Sequence, residues 1–235
     1  MQLTVREVCK FLDVPEATVA RWIKQRGLPA QHVGGQYRFN RAELLEWATA
    51  NHVKLGVDLF DNPEGDDDPV PGLADALEAG GIVYQLGDSD TKERALRSVV
   101  SVLPLPEGID REFLLRLLLA REASASTAVG DGVAFPHVRN PILLHVTRPM
   151  ITLSFLEKPV DFAALDGKPV YVLFSLISPT TRSHLQLLAR LSFALHDAKF
   201  KEVVLRRGGR EEILREARRV EAGIAGPAAG PGKAP

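Results

Sequence analysis

Val5, Val8, Cys9 and Leu12 recur at helical spacing with polar residues between them, which predicts a short helix over 5–12. Thr4 followed by Glu7 is a capping-box pattern that starts it. Asp13-Val14-Pro15 breaks that helix, and Pro15 stands at the start of a second one running to about Gln25 and stopping at Gly27. Val19, Trp22 and Ile23 form its inner face, and Ala17, Ala20, Arg21 and Lys24 share the other. Gly34-Gly35 between two strand-like runs predicts a small hairpin with a primed turn. Asn40 then caps a third helix over 41–49.

Past residue 80 helical and strand periods alternate. Ser89 or Asp90 is placed to cap a helix through about Leu103. Asp110 caps another through Arg121, with Phe113, Leu114, Leu117 and Leu118 on its buried side. A short strand over Gly132–Phe135 ends at Pro136-His137. Ile151, Leu153 and Phe155 alternate with Thr152 and Ser154, the pattern of a strand with one buried face. The apolar run over 170–177, VYVLFSLI, predicts a central strand. Leu185, Leu188, Leu191 and Leu195 mark a helix starting near Thr181, and further helices follow over about 199–206 and 209–221. Strands interleaved with helices predict an α/β domain with a mixed β-sheet covered by helices.

Composition supports a packed protein of 235 residues: 45% of them are hydrophobic, and aromatics are sparse at 6%, so the core is mainly aliphatic. The single cysteine, Cys9, excludes an internal disulfide and a thiolate metal cluster, and no metal or cofactor is expected. No apolar run approaches the roughly 20 residues of a membrane span. The first residues lack the apolar core of a secretion signal. A cytoplasmic protein without membrane insertion is expected.

Charge divides the chain. Residues 1–54 carry eight Lys/Arg and five Asp/Glu, a net of +3. Residues 55–79 carry eight acids and no base, and the remainder carries 21 bases and 17 acids. The expected organisation is a head (1–54), an acidic flexible linker (55–79), a body (80–222) and a disordered Gly/Pro/Ala-rich tail (223–235). The linker reads either as a spacer or as an acidic mimic of DNA that inhibits the head.

Two short helices joined by a tight turn are the sequence form of a helix-turn-helix. Helix, turn, helix, Gly-Gly wing and helix, in TVREVCKFLDVPEATVARWIKQRGLPAQHVGGQYRFNRAELLEW, resemble the MerR/excisionase-like winged helix-turn-helix family. By that resemblance the second helix enters the major groove and the wing touches the backbone or the minor groove. Arg21, Lys24, Gln25 and Arg26 are then the candidate DNA contacts of the helix, and Arg38 that of the wing. With a charge of only +3, one copy would bind weakly, so a homodimer is the form expected to bind usefully.

The chemistry of the body centres on His137. A neutral imidazole attacks a phosphoryl group through one lone pair without losing a proton, which suits reversible relay. The phosphoryl oxygens need donors: backbone N–H groups, an arginine, a second imidazole. Ser126, Thr127, Gly130 and Gly132 are the candidate phosphate cradle, Arg121 ends the preceding helix, and His184 opens a later one where the helix dipole favours an anion. His32, His52, His145 and His196 have no motif partner.

The ordered pattern RE-x-x-x-ST-x-x-G-x-G-V-A-F-P-H, followed by a strand pair and SP-x-x-x-x-HLQLLARLSFAL, resembles the enzyme IIA domain of the phosphoenolpyruvate-dependent phosphotransferase system. The likeness is to the fructose/mannitol type, which includes the nitrogen-regulatory members. It implies His137 as the phosphoryl acceptor, HPr or a nitrogen-type paralogue as donor, and Arg121 and His184 as supporting groups. Departures are Ala128-Val129 for Gly-Ile, Asp131 for Asn and Phe135 for Ile. Asp131 adds an acid near the expected dianion.

Together these features imply a regulatory phosphocarrier, a phosphotransferase component with a DNA-binding head. Two alternatives remain at this level. One is a DNA-binding or protein-interaction regulator that does not turn over phosphate. The other is a sugar-transport component acting with separate IIB and IIC partners.

Overall fold

The computed structural model describes residues 2–51, 53, 71–87, 89–144 and 146–224. Most of the expected linker (55–70), most of the tail (225–235), His52, Lys54 and His145 lie outside the described residues.

The head contains helices α1 (Val5–Leu12), α2 (Glu16–Gln25) and α3 (Arg41–Ala50). Thr4 and Glu7 form the reciprocal capping box at α1, and Asn40 Oδ1 accepts from the backbone N–H groups of Ala42 and Glu43 at α3. Strand β1 (Gln2–Leu3) was not apparent in the sequence because it is only two residues long. It pairs with β3 (Gln36–Asn40), which pairs in turn with β2 (Gln31–Val33), all antiparallel. The β2–β3 turn uses Gly34 and Gly35 at φ +57° and +78°, as a primed turn requires. Trp22 and Trp47 pack at 5.3 Å between centroids and join α2 to α3.

The body is a five-stranded mixed sheet in the order β4-β7-β8-β6-β5. Its strands are β4 (Ile82–Leu86), β5 (Ala128–Gly130), β6 (Val133–Ala134), β7 (Met150–Val160) and β8 (Val170–Ile177). The apolar run over 170–177 is indeed the central strand, parallel to β6 and antiparallel to β7. Its helices are α4 (Leu73–Gly80), α5 (Lys92–Val102), α6 (Arg111–Ser124), α7 (Thr181–His196), α8 (Ala198–Leu205) and α9 (Arg210–Ile224).

Several expectations need correction. Residues 73–79 fall within the stretch assigned by charge to the linker, yet they belong to α4, with Leu73, Ala74, Ala76 and Leu77 in the core. Asp75 and Glu78 are exposed, and they continued the run of acids that marked the linker. Helix α5 is capped by Thr91, not by Ser89 or Asp90: its side chain accepts from the Arg94 N–H at 3.2 Å. Strand β7 is buried on both faces, because two helical layers cover the sheet. Thr152 is satisfied by donating to the Gly80 carbonyl at 2.8 Å. The buried stripes are Leu114, Leu115 and Leu118 on α6, and Leu187, Leu188, Leu191 and Leu195 on α7, with Phe113, Leu117 and Leu185 only half-buried.

Two apolar clusters fill the protein. One lies between the sheet and α5–α6. The other lies under α4 and α7–α9 and continues into the head, taking in Leu44, Leu45 and Trp47. Helix α3 packs on α7 and β5, and this seats the head against the body at the end of the sheet that carries His137.

Candidate active site

His137 follows β6, where it forms an isolated parallel bridge to Leu176 of β8. Its position is therefore set by the central strand rather than by a free loop. The Pro136 carbonyl accepts from the Leu176 N–H at 3.0 Å and pins the approach. The ring is 2% exposed. Its Nδ1 lies 2.7 Å from the Phe135 carbonyl, which can only accept, so Nδ1 carries the proton. The lone pair of the neutral ring is thereby placed on Nε2.

Arg121, in the last turn of α6, donates from Nε to His137 Nε2 at 3.2 Å and from Nη1 to the Ala125 carbonyl at 2.8 Å. The second bond anchors the guanidinium beside Nε2. His184 lies in the first turn of α7, its ring centroid 5.0 Å from that of His137. Burial, followed by the neighbouring His137, pushes its pKa down to about 3, so it is neutral at ordinary pH. Its Nδ1 is buried without a hydrogen-bond partner. An unsatisfied buried ring nitrogen beside a second imidazole is free to meet a ligand atom.

The fourth member comes from outside the motif. Glu46 enters from α3 of the head: Oε2 accepts from Arg121 Nη2, and Oε1 lies 3.1 Å from His137 Nε2. Oε1 gains a hydrogen bond there only from a doubly protonated ring. Burial raises the Glu46 carboxyl, but the charges and hydrogen bonds of His137 and Arg121 outweigh it and hold the group at about 2. A second contact follows the same line, Arg139 Nη2 donating to Glu43 Oε1 at 3.3 Å. The only hint in the sequence was an acid set inside the apolar run LLEWA. These groups line a cavity of about 250 Å³ with Arg41, Asn140 and Thr181.

The expected phosphate cradle is not brought to this cavity. Ser126 Oγ donates to the Phe162 carbonyl at 2.5 Å and accepts from the Ala128 N–H. Thr127 Oγ1 donates to Glu122 Oε2 at 2.6 Å, and Lys92 pairs with the other Glu122 oxygen at 3.1 Å. Both hydroxyls are spent on fixing the loop before β5. Gly130 lines a different cavity. At Gly132, with φ +77°, a Cβ would stand 2.2 Å from the Tyr171 ring, so its role is tight packing of the β5–β6 turn on β8. Asp131 also faces away: Lys168 at 2.6 Å and Lys201 at 2.5 Å hold its carboxyl down to about 2.

In the head, Arg21, Lys24 and Gln25 are exposed on α2. Arg26 is turned back over Trp22 and Trp47, at 5.7 and 5.8 Å from their ring centroids, and donates to the Asn51 carbonyl. It serves packing where it stands. Arg38 bonds Gln36 within the wing at 2.9 Å. No group of three or more metal-ligating side chains occurs among the described residues, and no helix among them is long and apolar enough to cross a membrane.

Comparisons with known proteins agree with this division. A family model described as "Phosphoenolpyruvate-dependent sugar phosphotransferase system, EIIA 2" matches residues 77–218, and a "Helix-turn-helix domain" model matches residues 3–52. A nitrogen regulatory protein of Pseudomonas aeruginosa is 37% identical over 116 residues, 48% of this chain and 73% of that protein. A fructose-specific EIIA component of Haloferax volcanii is 32% identical over 106 residues, 44% of this chain and 67% of that protein. The crystal structure of nitrogen regulatory protein IIA-Ntr from Neisseria meningitidis superposes with a TM-score of 0.51 at 25% identity, covering 63% of this chain and 96% of that one.

Proposed function

Since the chain belongs to the type 2 enzyme IIA family of the phosphoenolpyruvate-dependent sugar phosphotransferase system, we propose that it is a cytoplasmic regulatory phosphocarrier. It accepts a phosphoryl group on His137 from the phosphohistidine of HPr or a nitrogen-type paralogue. The observation that carries this reading is the ring geometry: Nδ1–H is tied to the Phe135 carbonyl, and the Nε2 lone pair faces Arg121.

The step balances without a proton. Nε2 attacks phosphorus, the P–N bond to the donor imidazole breaks, and that imidazole leaves with the electron pair. His137 keeps its Nδ1 proton throughout. Charge on the transferring oxygens is met by the Arg121 guanidinium, and a neutral His184 offers a ring N–H where an imidazolium would cost burial energy. The Ala125 and Phe135 carbonyls orient Arg121 and His137 and do not touch the phosphoryl group.

The relative named for nitrogen regulation supports a regulatory output, and the head supports DNA as its target. Arg21, Lys24 and Gln25 are the residues of α2 free to reach base edges and phosphates. The test is incubation with phosphoenolpyruvate, enzyme I and HPr, with intact mass as readout. Wild type gains one phosphoryl group and His137→Ala gains none. A folded wild-type protein that gains none from HPr or its nitrogen-type paralogue would sink the phosphocarrier reading.

A further inference from the structure

Glu46 has no part in the phosphoryl chemistry above, yet it sits on the reactive atom. It belongs to the head, 75 residues before Arg121, and it is 8% exposed. Its carboxylate pairs with Arg121 and lies 3.1 Å from His137 Nε2, both in the body. On the strength of the phosphocarrier reading, we infer that the Glu46 carboxylate occupies the phosphoryl site of the unphosphorylated protein, so that a docked head and a phosphorylated His137 exclude each other.

Three physical conflicts enforce the exclusion. The first is space. A phosphorus bonded to Nε2, with its three oxygens, needs the volume where Glu46 Oε1 stands, 3.1 Å from that nitrogen. The second is donors. Arg121 has Nε on His137, Nη1 on Ala125 and Nη2 on Glu46, so the guanidinium arm a phosphoryl oxygen needs is already taken. The third is charge. Glu46 is buried and ionised, and a phosphoryl dianion would replace its cationic surroundings with a like charge. Access adds to these, because a ring 2% exposed under α3 cannot meet a donor protein's histidine.

The head is therefore held shut by the very groups that phosphorylation recruits. Transfer to His137 turns the attraction for Glu46 into repulsion and releases α3. Of the polar contacts the exposed pair Arg139–Glu43 is left as a weak hold, beside the apolar packing of Leu44, Leu45 and Trp47. Coupling of this kind is reciprocal: whatever favours the docked head disfavours the phosphorylated histidine by the same factor. The surface covered belongs to α3. Arg21, Lys24 and Gln25 of α2 stay exposed in the docked state. The switch thus alters how the head is held and leaves its reading face open throughout.

The protein carries its own reporter. Both of its tryptophans, Trp22 and Trp47, lie in the head, and Trp47 lines a cavity shared with Ser126, Ala128 and Leu165 of the body. Tryptophan emission and acrylamide quenching of the full chain are compared for wild type, Glu46→Gln and Arg121→Gln, with far-UV circular dichroism as the check on folding. Both variants should shift emission to the red and quench more readily with unchanged dichroism. Phosphoenolpyruvate, enzyme I and HPr are then added and uptake is followed by intact mass. Glu46→Gln should be phosphorylated at least about tenfold faster, because only the undocked fraction of wild type is competent. Phosphorylated wild type should acquire the emission of Glu46→Gln, and His137→Ala in the same mixture should not. A Glu46→Gln protein with wild-type emission and wild-type uptake overturns the inference. So does a phosphorylated wild type that keeps its docked emission. If no variant takes up phosphate, the phosphocarrier reading fails by itself. In that case a red shift in both variants still supports Glu46 as the latch on this site, and its absence overturns it.

Discussion

Helices α2 and α3 are ten residues each and belong to the same small head, but they meet opposite fates. Helix α2 buries Val19 and Trp22 and leaves Arg21, Lys24 and Gln25 in water. Helix α3 buries Leu44, Leu45, Trp47 and Ala48, and with them Arg41, Glu46 and Thr49. A buried carboxylate costs several kcal/mol unless it is matched. It is tolerated on α3 because the body presents the Arg121 guanidinium, which pairs with it. The charge of a side chain does not decide whether a helix face is covered. What decides it is whether the opposing surface offers the complement.

That contrast can be broken in a graded way. The largest effect is expected at the site α3 covers. Arg121→Gln should slow phosphoryl uptake from HPr by about a hundredfold or more, the scale of losing one charge-stabilising donor. Arg21→Ala on α2 should leave the mass-resolved time course unchanged. Next comes packing. Leu45 is fully buried, and Leu45→Ala should cost about 2–5 kcal/mol in a denaturant melt. Arg21→Ala should stay within about 0.5 kcal/mol of wild type.

The third effect depends on pH. The pKa of His184 falls from its ordinary 6.5 to about 3, first through burial and then through His137. The folded protein therefore refuses a proton that the unfolded chain accepts. Stability is fully present above pH 6.5 and is lost progressively as pH falls toward 3. His184→Asn should flatten that acid limb in melts taken across the window.

A smaller change is expected at the start of α3. Asn40→Ala removes a cap that accepts two backbone N–H groups and should cost about 1 kcal/mol in the same melt. The smallest signal belongs to α2. Arg21→Ala should weaken DNA retardation modestly and, if Arg21 meets a phosphate, lower the salt slope by about 1. A slope unchanged for Arg21→Ala and Lys24→Ala alike would remove α2 from the DNA surface.

Local chemistry determined much of this protein before any tertiary contact. Thr4 with Glu7, Asn40 and Asp110 mark helix starts because their side chains meet unpaired N–H groups a few residues away. The continuous apolar run over 170–177 announces a strand covered on both faces. The ordered motif around Pro136-His137 singles out the ring that lies beside Arg121 and His184. Tertiary structure decided what depends on distant partners. Thr152 and Ser154 look like a solvent face until helices cover both sides of β7. Asp75 and Glu78 hide α4, because a charge count does not see Leu73 and Leu77 entering a core. Ser126 and Thr127 are drawn off to Phe162 and Glu122, and Arg26 to two tryptophans. Glu46 reaches Arg121 across 75 residues. Periodicity and capping act over one or two turns, and a motif records residue types along the chain. The partner of a buried charge is set only when the folded surfaces meet.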